Sequence, residues 1–211
     1  MATSVGLIDY GMGNLFSVQK AFGRLGKSLI LIKRPNDLIN CDSLILPGVG
    51  SFDPAMDQLK STKLIPYIRN WVKEEKPLLG ICLGLQLLFE SSDEGRLEGL
   101  GLIQGNVQKL PNDQSERVPH MGWALLRSQK PCPLIRKDET PKWVYFVHSY
   151  EAKPSCSSDL AATVSFGSSD LTAIVWKNRL GACQFHPEKS AKTGQKMLRN
   201  WLEWIESGAQ I

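Results

Sequence analysis

The sequence predicts an α/β fold with a doubly wound, mixed but mostly parallel sheet that is flanked by helices. The first observation is that short apolar segments suited to buried strands occur at residues 4–8, 28–32, 43–46 and 78–81. The second is that segments of helical spacing lie between them, at residues 15–22, 53–60 and 64–73. Strands that alternate with helices in this way are typical of a parallel sheet built from crossover units.

The second half of the chain is richer in strand patterns, and we expect these strands to continue the same sheet. The segments are residues 105–110, 143–149, 160–166, 172–176 and 180–185. A closing helix over residues 190–206 carries a wide apolar stripe, which core packing explains. We expect one domain over residues 1–211, since the chain shows no linker and no internal repeat.

The composition is that of an ordinary globular protein, and it excludes several functional classes. The net charge is only +4 and Lys and Arg form no run, so we expect no nucleic-acid partner. No apolar run approaches the ~20 residues of a membrane span, and the start of the chain lacks the features of a signal peptide. We therefore expect no membrane association. The 5 cysteines and 3 histidines are scattered, which favours neither a metal site nor a disulfide framework and fits a reducing cytoplasm.

The strongest motif is a cysteine between two glycines, at the junction of a buried strand and a leucine-rich helical pattern. Gly80, Cys82 and Gly84 have the G-x-C-x-G spacing of a nucleophile elbow, with cysteine in the place of the usual serine. The glycines clear space around a strained turn, and the start of the following helix favours a thiolate. The Leu83 N–H is then free to face a developing oxyanion. The alternative is a buried structural cysteine beside loop glycines.

A second motif, His-Pro-Glu, follows the last apolar strand. Proline holds the preceding residue in extended geometry, so we expect His186 to be extended and to project on the same side as Glu188. A base and the carboxylate that orients it need this proximity. Together with Cys82 as nucleophile, His186 as base and Glu188 as orienting carboxylate would complete a triad. The alternative for His186 and Glu188 is a strand-end histidine beside a solvated glutamate.

The glycine-rich loop after the third strand is the third candidate element. Ligands of open α/β sheets bind beyond the carboxyl ends of the strands, so Pro47–Gly50 is expected to border the site. The two glycines around Val49 allow more than one backbone conformation. The loop is therefore either a second oxyanion donor, through the Val49 N–H, or a plain turn.

These segments resemble the class I, or triad-type, glutamine amidotransferases. Gly80–Gln86 and Phe185–Glu188 carry the resemblance to that superfamily. Three further segments, Pro47–Gly50, Pro119–Trp123 and Tyr145–Tyr150, are similar to the glutaminase subunits of imidazole glycerol phosphate synthases, which act in histidine biosynthesis. The resemblance runs nearly end to end, and it implies a flavodoxin-like sheet.

The resemblance implies hydrolysis of glutamine to glutamate and ammonia, with no cofactor and no metal. It assigns catalysis to Cys82, His186 and Glu188. It assigns the oxyanion hole to Val49, Gly50 and Leu83. It assigns substrate binding to Gln86, Ser149 and Tyr150, the last two through their backbone. An ordinary polar helix position is the alternative for Gln86.

The implied partner is a (β/α)₈-barrel cyclase, with which the glutaminase forms a heterodimer. The cyclase combines ammonia with a ribulosyl aminoimidazole carboxamide nucleotide and releases imidazole glycerol phosphate and an aminoimidazole carboxamide ribonucleotide. The expected docking residues are Asn14, His120, Met121, Trp123, Tyr145 and Lys189. Core burial is the alternative for Met121 and Trp123. His120 and His148 have no acidic neighbour in the sequence, and we interpret them as non-catalytic.

Other functions remain open at this stage. A paralogous glutaminase that feeds another synthase, for example in surface-sugar amidination, would carry the same motifs. A scaffold without activity and a γ-glutamyl peptidase are further alternatives. For a glutaminase with a partner, we expect the isolated subunit to be nearly silent. Rotation of the Gly48–Val49 peptide is the simplest way to keep the isolated subunit inactive, since it removes one oxyanion donor.

Overall fold

The computed structural model describes residues 3–111, 115–136 and 142–210. Its strands are β1 (Val5–Ile8), β2 (Leu29–Ile32), β3 (Ser43–Leu46), β4 (Leu78–Ile81), β5 (Ser91–Ser92), β6 (Gly105–Lys109), β7 (His120–Ser128), β8 (Trp143–His148), β9 (Tyr150–Pro154), β10 (Leu160–Phe166), β11 (Ser169–Lys177) and β12 (Leu180–Cys183). Its α-helices are α1 (Leu15–Gly23), α2 (Phe52–Ser61), α3 (Ile65–Lys73), α4 (Leu83–Gln86) and α5 (Ala191–Glu206). Three short 3₁₀ helices lie at Pro35–Asn40, Ser157–Asp159 and Pro187–Lys189.

Over the described residues, the main sheet has nine strands in the order β2-β1-β3-β4-β12-β11-β10-β7-β8. The first five of these run parallel, and the remaining four join through antiparallel pairs. The predicted mixed, mostly parallel α/β architecture is thereby confirmed. No helix in the described ranges is both long and apolar enough to cross a membrane.

The sheet is buried on both faces because its central strands are apolar without interruption. All four residues of β1, β3, β4 and β12 are buried. Alternate residues contribute to two hydrophobic clusters, one of which contains α1 and α5 and the other α2 and α3. Helices pack on both faces of the sheet and bury its apolar side chains, so the chain forms three layers.

The order of the strands gathers the candidate residues at one edge of the sheet. Strands β1, β3, β4 and β12 are neighbours and parallel, so the loops at their carboxyl ends lie together. These loops carry Tyr10, Val49, Cys82 and His186. The site therefore lies where open α/β sheets bind their ligands.

Three sequence-based expectations need correction. Residues 105–110 do not continue the main sheet, since β6 pairs with β5 and β9 in a separate three-stranded sheet. Strand β7 went unpredicted, although its nine residues alternate between more and less exposed positions. The helix after Cys82 is only one turn long. It ends because the carbonyls of Leu87, Leu88 and Phe89 accept bonds from the N–H groups of residues 100–103.

The fold generates a prediction about the closing helix. Trp201 on α5 is fully buried and meets Phe22 edge to face, with ring centroids 6.1 Å apart. Trp201→Ala should reduce the free energy of unfolding by about 3–5 kcal/mol, because a large cavity remains. Trp143→Ala is the control, since Trp143 is 50% exposed. Urea denaturation measures both, and an equal loss of stability in the two variants would contradict this packing.

Candidate active site

Cys82 has a backbone conformation that is rare for a residue with a side chain. Its φ is 55° and its ψ is −113°. The sheet supports this strain, because the Cys82 N–H donates to the Cys183 carbonyl at 2.8 Å and the Cys82 carbonyl accepts from the Leu85 N–H at 3.0 Å. Strain of this type is characteristic of functional turns, and it presents the side chain at the end of β4.

The two glycines of the motif are required by close backbone approaches. A Cβ at Gly84 would lie 1.9 Å from the Leu46 carbonyl oxygen. A Cβ at Gly80 would lie 2.9 Å from the Ala182 Cβ. Any larger residue at either position would push the elbow away from β3 or β12.

His186 and Glu188 form a buried pair next to the cysteine. The Nδ1 of His186 lies 2.7 Å from Oε1 of Glu188, and both side chains are almost fully buried. His186 is extended, as expected, but Glu188 lies in the 3₁₀ turn Pro187–Lys189 rather than on a continued strand. The two side chains meet as expected. They do so through the 3₁₀ turn, however, and not because both lie on one side of an extended segment.

The electrostatics of this pair favour a charged imidazole. Burial opposes the charge on His186, but its hydrogen bonds to Cys82 and Glu188 outweigh burial and raise the pKa of the imidazole to about 10. The imidazole therefore bridges the thiol and the carboxylate. A cysteine, a protonated histidine and an orienting carboxylate can together perform nucleophilic acyl chemistry.

The backbone of His186 is tied to strand β8. The His186 N–H donates to the Tyr145 carbonyl at 3.0 Å. The Tyr145 N–H donates to Ser190 Oγ at 2.9 Å, and that hydroxyl donates to the His186 carbonyl at 2.6 Å. Both polar backbone groups of Tyr145 thus contact the His186–Ser190 segment.

The Pro47–Gly50 loop borders the cysteine, but its expected donors are occupied. The Val49 N–H donates to the Met12 carbonyl at 2.9 Å, and the Leu83 N–H donates to the Gly48 carbonyl at 3.3 Å. Gly50 has a φ of 99°, which glycine adopts without strain. In this conformation neither amide is free to bind an oxyanion.

A cavity of about 390 Å³ opens above Cys82. The predicted residues that line it are Val49, Gly50, Cys82, Leu83, Gln86, Ser149, Tyr150 and His186. Glu94, Pro119 and His148 also line it, and sequence reasoning assigned them no role at the site. The structure thus brings eight predicted residues around one space. Glu188 supports this group from behind His186.

Gln86 and Gln184 bond to each other beneath the cavity. The Nε2 of Gln86 donates to the Tyr150 carbonyl at 3.1 Å and to Oε1 of Gln184 at 3.0 Å. The Nε2 of Gln184 lies 3.9 Å from the Cys82 sulfur. Sequence reasoning missed Gln184. Its position could have indicated a role, because it is a polar residue at the end of an otherwise apolar strand. Since the Gln86 amide donors are already engaged, only its oxygen can turn to a ligand.

Glu94 is the second missed residue, and it provides the carboxylate of the cavity wall. Its Oε2 accepts the Phe52 N–H at 2.9 Å, which fixes it at the start of α2. Burial is the main cause that raises the pKa of this carboxyl group. Glu94 lies in a polar loop without a motif, so the sequence offers no signal for it.

His120 and His148 are bonded to each other rather than to an acid. The Nδ1 of His148 lies 2.8 Å from the Tyr150 carbonyl, so it must donate, and Nε2 of His148 accepts from Nδ1 of His120 at 3.1 Å. Burial lowers the pKa of His148 to about 4 and also lowers the pKa of His120. Both rings are therefore neutral at neutral pH.

Two of the residues expected at the docking face lie on β7 opposite β8: His120 pairs with His148 of the cavity wall, and Trp123 pairs with Tyr145. Met121 and Trp123 are 61% and 50% exposed, so core burial does not account for them. Trp123 packs edge to face on Tyr145, with ring centroids 6.1 Å apart. Asn14 and Lys189 are exposed, and Asn14 also caps α1 by accepting the Ser17 N–H at 3.2 Å.

The site generates a prediction about two of the three histidines, His186 and His148. An NMR titration of ¹³C-labelled histidine should show His186 charged until about pH 10 and His148 neutral down to about pH 4. Because the fold raises the pKa of His186 from 6.5, the stability that its bonds contribute is fully present below pH 6.5. That stability is lost as the pH rises through about 10. His186→Gln assigns the signal, and a midpoint near 6.5 for His186 would contradict the bridged imidazole.

Comparison with known proteins places this geometry in a family. The family model "Glutamine amidotransferase class-I" matches residues 6–204. The chain is 63% identical to imidazole glycerol phosphate synthase subunit HisH 2 of Prochlorococcus marinus (strain MIT 9313), over 100% of this chain and 99% of that protein. It is 59% identical to the HisH 2 subunit of Parasynechococcus marenigrum (strain WH8102), over 100% of both chains.

Two solved structures share the fold. A crystal structure of a glutamine amidotransferase matches with a TM-score of 0.75 at 19% identity, over 96% of this chain and 98% of the other. A chain in the structure of PurLQS from Thermotoga maritima matches with a TM-score of 0.77 at 17% identity, over 97% of this chain and 100% of the other. The chain therefore belongs to the class I glutamine amidotransferase family, among the HisH subunits of imidazole glycerol phosphate synthase.

Proposed function

We propose that this chain hydrolyses the side-chain amide of glutamine through Cys82, His186 and Glu188. We further propose that it passes the ammonia to a (β/α)₈-barrel cyclase that makes imidazole glycerol phosphate and the aminoimidazole carboxamide ribonucleotide. The observation that carries the proposal is the strained cysteine bonded to an imidazole, which is itself bonded to a buried carboxylate. The activity belongs in the cytoplasm, because a free thiol must survive and all five cysteines are unpaired.

The first half of the reaction forms a thioester. The Cys82 sulfur attacks the amide carbon, and the electron pair of the carbonyl bond moves to oxygen. As the tetrahedral intermediate collapses, the C–N bond breaks and the His186 imidazolium gives its proton to the departing nitrogen. Ammonia leaves, and the glutamyl group remains on sulfur.

The second half returns the enzyme to its starting state. His186, now neutral, accepts a proton from water while the water oxygen attacks the thioester carbon. Collapse of this second intermediate breaks the C–S bond and releases glutamate. Glu188 stays ionised throughout, since its role is to fix the tautomer and orientation of the imidazole at 2.7 Å.

The substrate is oriented by groups on the cavity wall. Glu94 places a carboxylate where it can receive the α-ammonium group of glutamine. Ser149 and Tyr150 line the same cavity, although the Tyr150 carbonyl already accepts from Gln86 and His148. Contacts from this segment to the substrate therefore come from its other polar groups. The free oxygen of Gln86 supplies an acceptor.

The occupied oxyanion donors support a resting state that is switched off. Stabilising the oxyanion requires the Val49 and Leu83 amides, and each donates to a carbonyl of the protein in this conformation. Rotation of the Gly48–Val49 peptide would release both amides at once. Removal of a single oxyanion donor typically lowers the rate by ~10²–10³. Partner and nucleotide binding would then act by favouring the active conformer, in which the Val49 and Leu83 amides are both released.

The docking face supports a partner at the mouth of the cavity. The exposed side chains of Met121 and Trp123 lie on β7, beside Tyr145 on β8. Exposed aromatic and methionine side chains are enriched in interfaces, and the adjoining strand β8 carries His148, which lines the cavity. A partner seated there would cover the site and prevent loss of ammonia to solvent.

One alternative is a paralogous glutaminase that serves a different synthase, and the identity of the barrel protein that co-purifies would distinguish it. An inactive scaffold is a second alternative, against which stands the assembled site of Cys82, His186 and Glu188. A γ-glutamyl peptidase is a third. It would have to admit a peptide, and turnover of γ-glutamyl peptides would reveal it.

The first prediction from the mechanism concerns the nucleophile. Cys82→Ala should abolish synthesis that depends on glutamine, because no thioester can form. Synthesis from ammonium salts in the complex should continue, because the cyclase receives ammonia directly. Product formation is measured with each nitrogen source, and Cys156→Ala is the matched control, since Cys156 is exposed and outside the site. Glutamate release by Cys82→Ala would contradict the assignment.

The second prediction concerns the loop. The isolated subunit should release glutamate at least ~10²-fold more slowly than the complex with cyclase and its nucleotide, because the oxyanion donors are occupied. Glutamate release is compared for the subunit alone, the complex, and the complex with nucleotide. If the isolated subunit is already as fast as the nucleotide-bound complex, the loop is not a switch.

A further inference from the structure

A buried tyrosine that has no role in the reaction above lies against the oxyanion loop. Tyr10 follows β1 and is only 3% exposed. Its hydroxyl donates to the Pro47 carbonyl oxygen at 2.8 Å. The loop after the first strand is thereby bonded to the first residue of the Pro47–Gly50 loop.

The same hydroxyl encloses Gly48. A Cβ placed on Gly48 would lie 2.7 Å from the Tyr10 hydroxyl oxygen and 2.9 Å from the Gly84 nitrogen and the Leu83 Cβ. Gly48 is thus confined between the phenol and the first turn of α4. Glycine is required there by space in this conformation, and its φ lies outside the left-handed region.

The chemistry of the phenol suits a permanent donor. Burial, and then the neighbouring Cys82, raise the pKa of Tyr10 far above its ordinary value. The hydroxyl therefore keeps its proton at any pH at which the thiolate works. It donates to a carbonyl and does not exchange protons with the site.

The stereochemistry of a peptide rotation explains why this bond matters. A single peptide plane turns when ψ of one residue and φ of the next change in opposite senses, while the flanking planes stay still. For the Gly48–Val49 plane to turn alone, the Pro47–Gly48 plane must be held. The carbonyl of that plane is the one that accepts from Tyr10.

We infer that Tyr10 is a positioning residue for the oxyanion hole, whose hydroxyl holds the Pro47–Gly48 peptide while the Gly48–Val49 peptide rotates. Without it, the loop has additional conformers in which the Val49 N–H points to neither Met12 nor the substrate. A neutral hydrogen bond shifts an equilibrium by up to about tenfold, and this sets the size of the expected effect. The inference rests on the proposed glutaminase function.

Tyr10→Phe in the complex with cyclase and nucleotide tests the inference, because it keeps the ring and removes only the hydroxyl. We expect kcat for glutamate release to fall about tenfold, with KM for glutamine unchanged within about twofold. Alkylation of Cys82 by iodoacetamide and synthesis from ammonium salts should match the parent. Tyr67→Phe is the matched control, since Tyr67 on α3 is 51% exposed, and it should leave every value unchanged.

A second measurement does not depend on activity. In the isolated subunit, hydrogen–deuterium exchange over residues 44–52 should be faster in Tyr10→Phe than in the parent or in Tyr67→Phe, because the Val49 amide spends less time on the Met12 carbonyl. Exchange over residues 78–82 should stay the same. Unchanged exchange at 44–52, an unchanged kcat, or a loss confined to KM would each overturn the inference. If the parent complex releases no glutamate, the proposed function fails, and exchange alone decides the role of Tyr10.

Discussion

The site depends on one backbone hydrogen bond between two parallel strands. The Cys82 N–H donates to the Cys183 carbonyl at 2.8 Å, and this bond holds a cysteine with a φ of 55° at the end of β4. The same pairing of β4 with β12 places the segment that leads to His186 next to the cysteine. Strain at the proposed nucleophile and proximity of the proposed base therefore have a common origin. If β12 were displaced from β4, both would be lost together.

Features that depend on short sequence spacing could be predicted. The G-x-C-x-G pattern indicates a strand, a tight turn and a helix because few residues tolerate that turn, and the contacts at Gly80 and Gly84 have the expected cause. The parallel first half is likewise a local signal, read from residue type and periodicity. The closing helix also follows from its apolar stripe.

Features that depend on pairing between distant segments could not be predicted from the sequence. The residue pattern at 105–110 indicates a strand, but it does not indicate which strand pairs with it. In the structure, β6 pairs with β5 and β9 and does not join the main sheet. Glu94 and Gln184 reach the site because of where their loops are held, by the Phe52 N–H and the Ala173 carbonyl. For the Gly48–Val49 peptide, the glycines indicated that it could rotate, but its hydrogen-bond partners, the Met12 carbonyl and the Leu83 N–H, come from other segments and could not be predicted.

The bonds between Tyr145 and the His186–Ser190 segment involve only main-chain atoms of Tyr145. The side chain at position 145 contacts Trp123, and both belong to the proposed docking face. Its identity can consequently change during divergence without altering the attachment of the base to strand β8.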